Sequence, residues 1–273
     1  MPGYSLMCPG GIANYCPEYQ AVYDAMTTPP DDVIAEQQDI MVRALVAGGV
    51  WAGLDVFYLF AQQSNADGEA LINWINPAAF AATLHGTVNP AFTSLEGFTG
   101  SIAQSSYINS NYNPNTSGIN YTLNDACFGV YIRTNIQDSN QIDMGIQLNA
   151  AARSYISSRN NIDGFSLCIN GSVDYPVEVI LDSRGLTVYL RPDNANHGYS
   201  KNGSNIVTIL ENSSSIPNLN FYILALNTMF VGAELFSERQ ISVSFAGKYI
   251  NDAKLTILYN AIQGYMTFNG KEV

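Results

Sequence analysis

The sequence predicts a mainly β protein, an antiparallel two-sheet sandwich with N-terminal helices and a closing amphipathic helix. Three observations carry this. The long middle is rich in Tyr, Asn, Ser and Gly, and its short apolar runs are separated by turn residues about every eight to twelve positions. The runs themselves have the length of strands rather than helices. The last stretch, 251–265, switches to a helical period.

Residues 1–17 hold Pro2, Gly3, Pro9, Gly10, Gly11 and Pro17 without periodicity and read as an irregular arm. Residues 18–50 read as a helical appendage. A short helix over 18–26 is broken by Thr27, Thr28, Pro29 and Pro30. Asp31 then offers an N-cap, with Asp32 favourable in the first turn. Val33, Gln37, Ile40, Met41, Ala44 and Leu45 recur at helical steps until Gly48 and Gly49 end the pattern. This helix is expected to lie beside the sandwich.

Residues 51–273 read as the sandwich. The run 55–61 is continuously apolar and fits a buried strand; 70–77 is ambiguous and stops at Pro77. Further strands are expected at 105–109, 127–134, 142–148, 154–158, 165–169, 177–181, 186–191, 206–210, 221–226 and 241–245. Turn clusters such as Asn170-Gly171 and Asn202-Gly203 separate them. In the closing segment Leu255, Leu258, Tyr259, Ile262 and Tyr265 share one face, with Asn251 as N-cap.

The chain is 47% hydrophobic but only 12% charged, so neutral polar groups must cover its surface. Such a surface suits permanent contacts or sugar binding, because little charge must be desolvated. A net charge of −12 argues against nucleic acid and against an anionic membrane surface. No run approaches bilayer-spanning length and no secretory leader is visible, so neither membrane insertion nor export is expected. Cys127 and Cys168 sit in apolar runs and read as buried thiols. Cys8 and Cys16 lack the spacing and the nearby histidines of a zinc knuckle, and whether they are bonded stays open.

Candidate chemistry is sparse. Glycosidases need two carboxylates flanking a bond. Asp174, Glu178 and Asp182 would share one strand face, but Pro176 interrupts it and Val177, Val179 and Leu181 read as the buried side. A solvent-facing polar edge is the plainer reading. Two isolated histidines, His85 and His197, support no catalytic triad. Asp138 and Asp143 flank a polar turn that would suit Ca²⁺, although most such turns hold nothing. The sequence thus leads to the expectation of no catalytic residue, no metal, no cofactor and no enzymatic activity.

For sugar binding, the polar segment 191–203 reads as a loop and offers Asp193, Asn194, Asn196, His197 and Tyr199. Amides and a carboxylate satisfy hydroxyls, and a Tyr ring stacks on an apolar sugar face. Tyr112 and Tyr121 flank a second amide-rich patch over 113–122. Trp51 reads as core, Trp74 as an edge or interface residue.

Three stretches in order carry a resemblance. The first is Tyr19-Gln-Ala-Val-Tyr-Asp-Ala-Met, followed by the polar helix and Ala47-Gly-Gly-Val-Trp-Ala-Gly-Leu-Asp-Val-Phe-Tyr-Leu-Phe-Ala. The second is Asn73-Trp-Ile-Asn-Pro with Phe98-Thr-Gly and Ser106-Tyr-Ile-Asn-Ser-Asn-Tyr-Asn-Pro; the third is Arg239-Gln-Ile-Ser-Val-Ser-Phe-Ala-Gly and the closing helix. From about residue 18 onward the chain resembles the concanavalin-A-like (laminin-G-like) jelly-roll structural proteins of tailed bacteriophages, notably those of Bacteroidetes hosts. The resemblance implies a virion location, as a tail, fibre or head-surface component. It implies other virion proteins as partners, a homo-oligomer, and host-surface glycan contact. It carries no catalytic motif. The alternatives are a carbohydrate-binding receptor-recognition module and, behind it, a glycan depolymerase.

Overall fold

Both predicted caps form. In a computed structural model, which describes residues 14–137, 141–173, 175–177 and 179–273, the Asp31 carboxylate accepts from Ile34 N at 3.0 Å and the Asn251 amide oxygen from Lys254 N at 3.1 Å. These satisfy amides that a helix start leaves unpaired. They open α2 (Asp32–Ala47) and α4 (Asp252–Phe268); α1 (Pro17–Ala25) precedes them and begins at a proline, where the missing N–H costs nothing. A one-turn α3 (Pro114–Ser117) lies within a loop. No helix among the described residues is long and apolar enough to cross a membrane.

The strands follow in chain order. They are β1 (Leu54–Leu59), β2 (Thr83–His85), β3 (Ala91–Thr93), β4 (Gly97–Thr99), β5 (Tyr107–Asn109) and β6 (Ala126–Ile132). Next come β7 (Met144–Asn149), β8 (Ala152–Ser157), β9 (Phe165–Gly171), β10 (Tyr175–Val177), β11 (Gly185–Arg191) and β12 (Asn196–Lys201). The last are β13 (Val207–Leu210), β14 (Tyr222–Ile223), β15 (Leu226–Thr228), β16 (Gly232–Glu234) and β17 (Gln240–Gly247). Among the described residues they form two sheets. The first runs β13-β12-β11-β6-β17-β4-β3, with β1 also on β17; the second runs β10-β9-β8-β7-β14-β5-β2, with β15 parallel to β7 and β16 paired to β15. The mainly β sandwich with terminal helices is the architecture the spacing predicts.

Strand alternation divides the core into two layers. Val56, Tyr58, Phe128, Val130, Ile132 and Tyr189 of the first sheet meet Met144, Ile146, Ile156, Phe165, Leu167 and Ile169 of the second. The opposite faces of the same strands, through Phe57, Leu59, Tyr131, Leu186, Val188 and Phe245, meet the helices through Val42, Leu45, Leu255, Leu258 and Ile262. Strands β1, β6, β11 and β17 are therefore buried on both sides at every residue, which is why their apolar residues fall on both faces instead of alternating with exposed polar ones. Tyr19, Gln38 and Tyr265 tie α1, α2 and α4 together: the Tyr19 hydroxyl donates to Gln38 Oε1 at 2.8 Å, and Gln38 Nε2 donates to Gln62 at 2.8 Å and Tyr265 at 3.2 Å.

Four local readings are corrected. The polar segment 191–203 is no open loop, because Asn196–Lys201 is strand β12, paired on both sides by β11 and β13. The expected strand over 177–181 is Tyr175–Val177, and Val179 and Leu181 stand 74% and 64% exposed rather than forming a buried face. The run 221–226 splits into β14 and β15 at Leu224, whose φ of +67° no strand accommodates. Trp74 is no edge residue: it is 1% exposed, with ring centroids 5.8 Å from Tyr19 and 6.1 Å from Phe57.

Asp143 and Arg239 form a fully buried ion pair at 2.9 Å. Ser158 N and the Ser237 hydroxyl complete the carboxylate, while Arg239 Nη2 donates to the carbonyls of Ile136 and Arg159. Removing one member strands the other charge in the interior, a cost of about 3–5 kcal/mol. Asp143→Ala is thus expected to lower the denaturant midpoint by an amount equivalent to about 3–5 kcal/mol with an unchanged slope, read by chemical unfolding.

Candidate functional site

The predicted binding residues do not gather at one surface. Asp193 caps the β11–β12 turn, accepting from Ala195 N at 2.7 Å and Asn196 N at 2.8 Å, and the Asn196 amide closes back on the same carboxylate. Asn194 is exposed, and its carbonyl accepts from Ser213 N. His197 and Tyr199 face inward at 0% and 2% exposure. Tyr199 packs on Phe165 at 5.3 Å. The His197 ring contacts the Tyr189 hydroxyl through Nδ1, and its Nε2 lies 3.2 Å from Glu211 Oε2. Arg191, also fully buried, donates to the carbonyls of Ile169 and Glu211. The cluster is a polar seam joining strands, and a sugar has no access to His197 or Tyr199.

Tyr112 and Tyr121 are likewise buried, at 0% and 2%. Burial, then the Asp55 carboxylate beside it, pushes the Tyr112 hydroxyl far above its ordinary range. Tyr121 bonds to Asn170 Oδ1 at 2.9 Å inside the sandwich. Of the carboxylate trio, Asp174 and Glu178 lie outside the described residues; Asp182 is paired with Arg184 at 2.7 Å on the surface. Asp138 also lies outside them, and Asp143 is committed to Arg239 and not to a cation. Among the described residues no group of three or more His, Cys, Asp or Glu is placed to hold a metal ion. Cys8 and most of the arm fall outside the described residues, while Cys16 and Cys127 are buried thiols.

A different site emerges where β1 begins. Trp51, in the 3-10 turn Trp51–Gly53, precedes Leu54 and Asp55. The Asp55 carboxylate gathers the amides of Ile119, Asn120 and Tyr121 (3.2, 2.9 and 2.9 Å) and the Tyr112 hydroxyl (2.7 Å). A buried carboxylate persists only when it is hydrogen-bonded, and here it draws the loop after α3 onto β1. Asn73, wholly buried, performs the same task for the next loop: its Oδ1 accepts from Phe57 N at 3.1 Å and Ile75 N at 3.2 Å, and its Nδ2 donates to Ala79 O at 3.3 Å. This places Phe80 at the rim with φ +59°, a strained conformation for an aromatic residue. The Tyr58 hydroxyl holds the Phe80 carbonyl at 2.8 Å, and the Tyr112 ring meets the Phe80 ring edge-on at 5.6 Å.

Together these loops enclose a cavity of about 340 Å³ lined by Trp51, Asp55, Asn76, Phe80, Ser117 and Asn120, with Ile75 and Ile119 among its apolar wall. Asn120 Nδ2 donates to Leu54 O at 3.2 Å and Asn76 Oδ1 accepts from Ala78 N at 3.2 Å, which leaves one amide group of each for a ligand. Aromatic and aliphatic surface with a few convergent amides and a hydroxyl is the chemistry of a small-ligand site. Ser117 and Asn120 belong to the patch that sequence reading places near Tyr112 and Tyr121, while the two tyrosines themselves are buried and do not line the cavity. Asp55, Asn73 and Phe80 went unrecognised. A carboxylate inside an apolar run was the available signal for Asp55, because such a group must find partners.

No protein-family model and no curated protein sequence matches the chain. Among solved structures it is similar to Trypanosoma rangeli sialidase, with 10% identity and a TM-score of 0.50, covering 85% of this chain and 40% of that one. It is also similar to a structure of botulinum neurotoxin type C, whose cell entry depends on interaction with two ganglioside molecules, with 12% identity and a TM-score of 0.52, covering 80% of this chain and 53% of that one. The chain thus spans about half or less of these neighbours, and the likeness is one of fold. The expectation of a non-enzyme is corrected here. The same architecture occurs in a sialidase, so the sandwich gives no ground for excluding catalysis, since chemistry resides in sites grafted on a fold.

Burial, then the Arg191 guanidinium, lowers the His197 imidazole from 6.5 to about 4. The unfolded chain takes up this proton at higher pH than the folded one, so the contribution is complete above pH 6.5 and lost as pH falls toward 4. It amounts to roughly 3 kcal/mol. Urea unfolding across that window is expected to show a shallower decline in stability for His197→Gln than for the parent chain.

Proposed function

We propose that this chain is a carbohydrate-binding β-sandwich module whose site is the cavity between Trp51 and Phe80. The observation that carries the reading is the convergence of two aromatic side chains with the amides of Asn76 and Asn120 and the Ser117 hydroxyl in one 340 Å³ recess. Aromatic faces take the apolar side of a pyranose, and amides answer its hydroxyls in both directions. Support also comes from the fold shared with a neurotoxin whose cell entry depends on gangliosides. The lining contains no cationic side chain and one carboxylate, in a chain of net charge −12. An uncharged sugar therefore suits this recess better than a sialylated or uronic one, so the ganglioside dependence of that neurotoxin supports glycan recognition in general and not recognition of a sialic acid here.

Asn120→Ala and Phe80→Ala are expected to weaken binding of a neutral glycan tenfold or more while leaving the circular-dichroism spectrum unchanged. Glycan-array screening followed by calorimetry measures this. The bound sugar should also perturb tryptophan fluorescence through Trp51, which is largely buried but lines the recess, whereas Trp74 does not line it. Silence across neutral glycans, or affinity indifferent to both substitutions, rejects the assignment.

The same reading places the module on a bacteriophage particle, as a tail, fibre or head-surface component that contacts host glycans. Its support is the ordered resemblance of the three stretches given above and the low-charge surface suited to lasting protein contacts. Mass spectrometry of purified particles is expected to recover the chain at a stoichiometric level; its absence from particles of a phage that encodes it would refute this placement.

A further inference from the structure

The β15–β16 hairpin ends in three consecutive exposed apolar residues. Met229, Phe230 and Val231 are 60%, 87% and 70% exposed. Isolated apolar residues on a surface need no explanation, but three together at a protruding tip do. The tip is braced. Thr228 Oγ1 donates to Gly232 O at 3.2 Å, Met229 N donates to Gln147 O of β7 at 3.3 Å, and Gly232 supplies the left-handed φ of +83° that the turn requires. Residues 226–236 carry a single charge, Glu234, and no basic residue.

The same chain carries an apolar recess of matching character. Between α2 and α4 lies a groove of about 600 Å³ whose lining includes Ile40, Met41, Ala44, Ile257 and Gly264. Ile40 at its edge is 51% exposed, and a Cβ added at Gly264 would meet nothing within 4 Å. A site of roughly 150 Å³ suffices for a phenyl ring, so the groove admits Phe230 with a flanking side chain. The hairpin belongs to the second sheet, whereas the groove lies in the helical layer beyond the first. Tip and groove therefore sit on opposite layers of the molecule, and occupying one does not block the other.

We propose that the Met229–Phe230–Val231 tip of one copy docks into the α2–α4 groove of the next, a head-to-tail contact that propagates along a row of subunits. Contacts of this kind are heterologous and close only into rings; otherwise they extend. A second copy is favoured over a lipid bilayer because the tip lacks the basic residues that hold a hairpin at lipid headgroups and the chain is strongly acidic. One aromatic side chain buries roughly 150–250 Å², well under the roughly 1,200–2,000 Å² of a stable interface. The contact is thus weak taken singly, and becomes visible at high protein concentration.

Sedimentation velocity of the full chain over a wide concentration range tests this. The average mass of the parent chain should rise past the dimer. Phe230→Ser alters only an exposed tip and Gly264→Leu fills the groove with a better helix former, so both should fold. Each alone should weaken association tenfold or more. An equimolar mixture of the two retains one intact tip and one intact groove, and should form dimers that grow no further. A parent chain that stays monomeric throughout overturns the proposal. So does association lost in Phe230→Ser but intact in Gly264→Leu, which would signify tip-to-tip pairing. Flotation of the parent chain with phosphatidylcholine vesicles, lost in Phe230→Ser and without self-association, would overturn it in favour of the bilayer.

Discussion

The burial of strands β1, β6, β11 and β17 on both faces is the constraint from which most of this structure follows. A sheet covered on one side alternates apolar and polar residues; one covered on both cannot. Every residue of β6, β11 and β17 is buried. The helices are consequently a wall of the core, since Leu255, Leu258 and Ile262 of α4 and Val42 and Leu45 of α2 complete the apolar surroundings of Phe57, Val188 and Phe245. Polar residues within the buried strands must be locally satisfied. Ser242 gives its hydroxyl to Glu96 O at 2.6 Å, and Ser244 reaches the Met144 sulfur at 3.2 Å. The two buried arginines find partners around the sandwich, Arg239 with Asp143 and Arg191 with the carbonyls of Ile169 and Glu211.

The candidate site stands at the margin of those doubly covered strands. There β1 emerges from the 3-10 turn, and two loops must be held without regular secondary structure. Asp55 and Asn73 hold them by recruiting backbone amides and carbonyls that would otherwise be stranded. The residues lining the recess are thereby held in place by the protein itself, and the strain in Phe80 is supported by Tyr58 and Tyr112. Preorganisation of this kind reduces the ordering cost that limits affinity in small polar sites. Residues that look like binding groups in the sequence serve here as the frame on which others are displayed.

The legible part of the chain was its regular part. Apolar runs with turn residues between them located most strands to within a few positions, and Asp31 and Asn251 marked two helix starts, because N-cap chemistry is local. The segment 191–203 was misread because polarity alone says that groups need partners, without saying whether the partner is water or another strand. His197 finds Tyr189 and Glu211, supplied by neighbours eight and fourteen positions away in the chain. Trp74 was misplaced for a related reason: the polar and proline residues beside it suggested an edge, while Tyr19 and Phe57 from distant segments enclose it.

By itself the sequence determined the class of the fold, the starts of α2 and α4 and the acidic, sparsely charged composition, since these depend on periodicity, local capping and residue content. The tertiary structure decided which aromatic and polar side chains line the recess and which are buried. Tyr112, Tyr121, His197 and Tyr199 were drawn inside, and Trp51, Phe80 and Asn120 were brought to one recess. The physical reason is that exposure and convergence are set by contacts between residues far apart in the chain, here those that Asp55 and Asn73 make, and no local pattern encodes them.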